Sequence, residues 1–230
     1  MTTIQVQVNA VQARIRAACL SSGRAAGSVS LLAVSKTFDA GAVAAAHAAG
    51  QCAFGENYIQ EAVEKISQLK ALALQWHCIG PVQSNKTRLV AEHFDWVQTL
   101  DRLKIAQRLS EQRPAALPPL QVCIQVNVDG GTTKSGLEPS QVLGLAQAVI
   151  KLPRLRLRGL MCIPEPTPDF EAACAVFSKA RALFDQLNQS GLALDTLSMG
   201  MSADMQAAIT SGSTMVRIGS AIFGSRHYPA

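Results

Sequence analysis

Val29-Ser30-Leu31-Leu32-Ala33-Val34-Ser35-Lys36 carries more information per residue than any other stretch of this chain. The run is apolar on both faces and rich in branched side chains. That is the pattern of a strand buried on two sides in a parallel sheet, not of a strand with one wet face. A lysine closes it, and helix-start residues around Asp39 follow at once. At the C-terminal end of a buried strand the lysine stem lies in low dielectric, which disfavours the ammonium and lowers its pKa. By that route lysine becomes a Schiff-base nucleophile. The other reading, a side chain that runs out of the strand end into water, is the commoner habit of lysine, and on Lys36 alone it is the favoured one.

From Val29 onward, strand-like and helix-like segments alternate to the end of the chain. Strands are expected at 31–35, 51–54, 75–78, 95–98, 121–128, 155–160, 196–198 and 214–218. Helical patterns lie between them at 41–49, 58–70, 86–93, 102–112, 139–150, 169–188 and 203–211, and one more amphipathic helix, at 4–20, precedes the first strand. Asp101 and Ser202 stand where N-caps belong, and Pro139 stands in a first turn. Ile59, Val63 and Ile66 share one face of the second helix in this series; Phe170, Cys174, Phe177, Phe184 and Leu187 share the buried face of the long one. About eight βα units result, the count of a closed (β/α)8 barrel of the TIM type. The loops at 114–119 and 164–168 are too short to separate domains, so residues 1–230 are expected to form one domain. An open doubly wound sheet is the alternative that the same alternation allows.

Composition excludes several classes. Hydrophobic residues make up 48% and charged residues 16% of the 230, with a formal charge of +5, as in an ordinary globular chain. No apolar run reaches the length of a membrane span and the N-terminus has no signal-peptide pattern, so a cytoplasmic protein without a membrane partner is expected. Six cysteines and four histidines form neither a CxxC pair nor a metal-ligand spacing, which favours reduced, packed thiols and no metal site. Basic residues are dispersed. Their densest stretch, Lys151-Leu152-Pro153-Arg154-Leu155-Arg156-Leu157-Arg158, reads as a strand with one wet face rather than as a nucleic-acid patch. A mild positive field remains compatible with small anions.

In a barrel the site is built at the C-terminal ends of the strands, with phosphate commonly beside the last two. Here those ends read Leu197-Ser198-Met199-Gly200-Met201-Ser202 and Val216-Arg217-Ile218-Gly219-Ser220. Helix N-terminal amides, glycine-permitted close approach and the hydroxyls of Ser198, Ser202 and Ser220 are what a phosphate dianion needs. Taken singly, a serine before a helix is a cap and a Gly-Ser after a strand is a turn. Asp204 would repel a phosphate unless its carboxylate points away. Arg217, inside the last strand, must leave for solvent or find a buried acceptor; a cofactor ring nitrogen and a structural ion pair are both open.

Together these segments resemble one family, the pyridoxal 5′-phosphate (PLP) homeostasis proteins, which bind PLP without catalysis. The resemblance lies in Leu32-Ala33-Val34-Ser35-Lys36, Phe54-Gly55-Glu56-Asn57-Tyr58, Trp76-His77-Cys78-Ile79-Gly80 with Gln83-Ser84-Asn85-Lys86, and Val126-Asn127 with Lys134-Ser135-Gly136. It continues through Arg158-Gly159-Leu160-Met161, Leu197 to Asp204, and Val216-Arg217-Ile218-Gly219 with Ile222-Phe223-Gly224. It spans nearly the whole chain; Cys78 and Val82 depart from the family's usual phenylalanine and leucine. It implies a single barrel like the N-terminal domain of alanine racemase, with PLP held as a Schiff base on Lys36 and Arg217 facing the pyridine nitrogen. Ser202, Gly219 and Ser220 would stand around the phosphate, and Asn57 and Met199 along the cofactor's flanks; Ser198 joins the cofactor-binding set as the hydroxyl donor read above.

PLP acts as an electron sink when its ring nitrogen is protonated, and arginine, which only donates, disfavours that state. Racemases of this fold add a tyrosine from another domain and subunit, and only Tyr58 and Tyr228 exist here. The resemblance therefore implies a non-enzymatic PLP store or carrier with apo PLP-dependent enzymes as candidate recipients. A monomer is expected because no long uninterrupted apolar surface helix is evident, and Lys86 and Lys134, candidates for a second, transient PLP site, read more simply as solvated lysines. A small PLP-dependent racemase and a lysine aldolase-like barrel without PLP remain the alternatives.

Overall fold

β1 (Ser30–Val34) pairs in parallel with β2 (Ala53–Glu56) on one side and with β8 (Met215–Ile218) on the other, and that double pairing closes the sheet. This computed structural model of the chain describes residues 2–131 and 135–224. Between β2 and β8, β3 (Gln75–Cys78), β4 (Trp96–Leu100), β5 (Leu120–Gln125), β6 (Leu155–Met161) and β7 (Thr196–Ser198) follow round the barrel in chain order, all parallel. The closed form is therefore the right one of the two expected topologies.

Each strand is followed by a helix. These are α2 (Ala40–His47), α3 (Ile59–Gln68), α4 (Thr87–His93), α5 (Leu103–Gln112), α6 (Pro139–Val149), α7 (Phe170–Gln189), α8 (Met205–Thr210) and α9 (Ser220–Phe223). The last is a single turn. α1 (Thr3–Ser21), closed at its start by a reciprocal Thr2–Gln5 capping box, buries Val8, Val11, Ile15, Ala18 and Cys19 and packs on α2, α8 and α9. It thus covers the ground where the eighth helix of a barrel lies.

Local chemistry moved several expected boundaries. α5 starts at Leu103 with Arg102 at its N-cap, because Asp101 pairs instead with the Arg102 guanidinium at 2.9 Å. α8 starts at Met205, not at 203, because the Asp204 carboxylate takes the amide of Met201 and closes a turn over residues 202–204. Ser202 is therefore not a cap. Phe170, expected in the core, is 44% exposed, since it is the first residue of α7, where Asp169 caps through the amide of Ala172. β5 stops at Gln125, where Asn127 accepts from the amide of Gly130 and donates to Gly131 and the chain turns away. β2 runs two residues later than expected, which puts Glu56 and Asn57 at the barrel mouth.

The main core lies between sheet and helices, while a small apolar cluster of Trp96, Cys123 and Met161 stands apart from it. At the barrel floor, Arg158 lies 4.7 Å over the Trp96 ring and pairs with Asp195 at 2.7 Å. Arg156 faces water between buried Leu155 and Leu157, as the alternation implied. Among the described residues all cysteines are unpaired, no cluster suits a metal ion, and no helix is long and apolar enough to cross a membrane.

Candidate functional site

Strand register brings the mouth residues together. Val34 stands opposite Gly55, and Leu32 and Ala33 stand opposite Arg217 and Ile218. The residues just beyond these ends, Lys36, Asn57 and Gly219, therefore come to one level. Two glycines permit the close fit. A Cβ at Gly219 would lie 3.2 Å from the Val34 carbonyl oxygen, and one at Gly80 would collide with the carbonyl of Asn57. The result is a cavity of about 270 Å³ at the C-terminal end of the barrel. Such a volume lies near the lower bound of small-molecule pockets, roughly 300 Å³.

Six of the eight residues singled out from the sequence line this cavity: Lys36, Asn57, Ser202, Arg217, Gly219 and Ser220. Val34, Ile79, Ile163 and Met201 supply its apolar surface. Ser198 does not line it; it lies beneath, hydrogen-bonded to Arg217. Met199 does not line it either. It is fully buried in the core between sheet and helices, and Met201 takes the place on the wall. Lys86 belongs to a short 3-10 turn, Ser84–Lys86, away from the cavity, while Lys134 lies outside the described residues. Cys78 and Val82 are buried and off the wall.

Arg217 is 4% exposed and rests on neutral oxygens. Its Nη1 donates to the Ser198 hydroxyl and its Nη2 to the Cys162 carbonyl, both at 2.8 Å. Ser198 then donates to Gln98 Oε1 at 2.7 Å, and Gln98 Nε2 donates to His77 Nδ1 at 2.9 Å. His77 must then carry its proton on Nε2, 3.1 Å from Gln75 Oε1. The chain runs one way, from guanidinium to barrel floor. Burial pushes the His77 pKa down to about 3, so the ring is neutral. Burial likewise lowers Arg217 from its usual value and pushes the Cys123 and Cys162 thiols up to about 12, which leaves them inert.

The Lys36 side is built differently. Ser35 donates its hydroxyl to Glu56 Oε1 at 2.6 Å; Lys65 Nζ donates to the same oxygen at 2.7 Å, to the Ser35 carbonyl at 2.9 Å and to Glu61 Oε1 at 2.8 Å. Glu56 is fully buried and Lys65 4% exposed. Burial raises the Glu56 pKa, against the opposing pull of Lys65 and the hydrogen bonds from Lys65 and Ser35. Sequence reading missed this cluster. It set the buried face of α3 by Ile59, Val63 and Ile66; Ile59 is buried, but Ala62 and Lys65 complete that face while Val63 and Ile66 are only partly buried. The one available signal was Lys65 four residues after Glu61 and in step with Ile59 and Ala62.

Thr37 has φ of 68°, a left-handed conformation that costs a branched residue roughly 1–3 kcal/mol and persists only where its surroundings impose it. Its amide donates to Glu61 Oε1 at 2.9 Å.

A phosphorylated aromatic aldehyde is the ligand type these donors fit. Lys36 offers an amine, Arg217 a buried cation, and Ser202 and Ser220 hydroxyls beside the Gly219 backbone. The buried Asn57 Oδ1 has no hydrogen-bond partner and asks for a donor. Asp204 is not on the wall, since its carboxylate accepts the Met201 amide.

Comparison with known proteins points the same way. The family model described as "Alanine racemase, N-terminal domain" matches residues 6–227. A protein of Pseudomonas aeruginosa named "Pyridoxal phosphate homeostasis protein" is 60% identical over 230 residues, spanning 100% of this chain and 99% of that one. Its namesake in Escherichia coli K12 is 52% identical over 231 residues, 99% of each. Among solved structures, PipY of Synechococcus elongatus PCC7942 with PLP bound superposes with a TM-score of 0.80 at 37% identity, covering 91% of this chain and 98% of that one. Alanine racemase from Corynebacterium glutamicum shares the fold alone, with a TM-score of 0.69 at 16% identity, over 95% of this chain and 61% of the racemase.

Proposed function

This chain belongs to the family of pyridoxal phosphate homeostasis proteins, and we propose that its cavity holds PLP through Lys36, with residues 1–230 acting as one binding domain. The observation that carries the reading is that Lys36, Arg217 and the Gly219-Ser220 turn line one cavity of about 270 Å³. The Lys36 amine condenses with the ligand aldehyde and releases water, which gives a Schiff base. Arg217 faces the pyridine nitrogen, the Ser202 and Ser220 hydroxyls and the Gly219 backbone take the phosphate, and Asn57 Oδ1 accepts from a ring substituent.

The protein binds PLP for vitamin B6 homeostasis and is not a racemase, a reading that its 60% and 52% identical relatives support. Physical chemistry agrees. The arginine at the ring nitrogen can only donate, and with its hydrogen bonds on neutral oxygens its charge stands against a protonated ring and the carbanion that ring would stabilise. Tyr58 is half exposed and off the cavity wall, and Tyr228 lies outside the described residues. We assign the protein to the cytoplasm as a monomer that neither binds nucleic acid nor joins membranes, with apo PLP-dependent enzymes as recipients. The unpaired thiols, of which Cys19, Cys78, Cys123 and Cys162 are buried, and the dispersed charge support that assignment.

Purified protein is expected to absorb in the visible, to lose that band with borohydride, and to lack it as Lys36→Ala. Amino-acid turnover should be absent, and robust turnover by wild type alone would reject the non-catalytic reading. Transfer of PLP to an apo-enzyme tests the recipient assignment; retention over long incubation would identify a store instead.

A further inference from the structure

Three charged residues that touch no part of the cavity hold the backbone on both sides of Lys36. Residues 35–38 form a turn in which Phe38 N donates to Ser35 O at 3.1 Å, with Lys36 second and Thr37 third. Positive φ at the third position is the mark of a type II turn, where glycine is the usual residue. A threonine stands there at φ 68°, so local sterics oppose the conformation that the fold adopts.

The surroundings that impose it are ionic. The Lys65 ammonium has three donors, and Ser35 O, Glu56 Oε1 and Glu61 Oε1 take one each at 2.9, 2.7 and 2.8 Å. The same two carboxylate oxygens accept from the Ser35 hydroxyl and from the Thr37 amide. Lys65 therefore ties both neighbours of Lys36 to each other and to β2 and α3. None of Ser35, Thr37, Glu56, Glu61 or Lys65 lines the cavity; of the wall residues Lys36 alone has both chain neighbours held by this cluster, whereas Val34 and Asn57 adjoin it on one side only.

We propose that Lys65, with Glu56 and Glu61, is the positioning device of the PLP lysine, locking the turn that aims Lys36 into the cavity. The inference rests on the reading that Lys36 bonds PLP. The step it serves is addition of the amine nitrogen to the aldehyde carbon with loss of one water and no redox change. A device of this kind lowers the ordering cost of the covalent bond and leaves ring and phosphate contacts alone.

Lys65→Met strands two carboxylates and can simply unfold, so the test uses Glu61→Ala, at a half-exposed position where only the acceptor of the Thr37 amide and one Lys65 contact are lost. The probes are PLP and pyridoxine 5′-phosphate, which has an alcohol in place of the aldehyde and cannot bond an amine. Glu61→Ala is expected to weaken PLP binding roughly tenfold and to leave pyridoxine 5′-phosphate affinity within roughly twofold of wild type. In a Lys36→Ala background the same substitution should leave PLP affinity unchanged. Equal losses for both ligands, or undiminished PLP binding, would overturn the positioning role alone. Wild-type protein without borohydride-fixable PLP would overturn the functional reading as well.

Discussion

Arg217 and Lys36 line one cavity from paired strands, yet the chain supports them by opposite means. Beneath Arg217 lie neutral groups in one directed hydrogen-bond chain, Ser198, Gln98, His77 and Gln75. Beside Lys36 lies a knot of three charges, Glu56, Glu61 and Lys65. A carboxylate under Arg217 would neutralise the charge that, in the proposed pose, faces the ring nitrogen, whereas neutral oxygens fix the guanidinium and leave its field intact. At Lys36 the need is orientation of backbone, and mutually compensating charges supply it without adding another polar group to the cavity wall.

The contrast can be broken most sharply at Lys65. Lys65→Met leaves the fully buried Glu56 carboxylate unpaired, and a loss of about 3–5 kcal/mol in denaturant unfolding is expected. Arg217→Met should behave the other way. PLP affinity should fall by about 1.5–3 kcal/mol in titration, while stability of the ligand-free protein holds or rises because a desolvated charge has gone. If both variants lose stability alike, the two supports are not different in kind.

The neutral state of the Arg217 chain also has a pH signature. His77 titrates near 6.5 when unfolded and at about 3 in the fold. Between those values the unfolded chain binds one more proton, so stability is full above 6.5 and falls as pH drops, by up to about 1.4 kcal/mol per pH unit from this group. Comparing urea unfolding at both ends of that window should show the slope reduced in His77→Gln. The smallest effect is expected for Ser198→Ala, which keeps the arginine and removes one link; PLP binding should weaken by about 1 kcal/mol.

The barrel was legible because apolarity on both faces of Val29 to Ser35 rules out a strand with one wet face, and because βα alternation then counts to eight. Its details were less so, since a cap is a competition. Asp101 found Arg102, and Asp204 found the Met201 amide before Ser202 could cap a helix. The two-residue parity of a strand could have corrected one expectation. If Ser198 faces the interior, Met199 must face the helices, and it does. Lys65 was hard to read for a deeper reason. Apolar periodicity scores a charged residue as surface, and only its partners Glu56 and Glu61, distant or half-exposed, justify its burial.

The direct test is chemical mapping. Borohydride reduction of the PLP-loaded protein followed by peptide analysis should place the pyridoxyl phosphate on Lys36 and on no other lysine. Modification at Lys65 or Lys86 in place of Lys36, or none at all, would contradict the account.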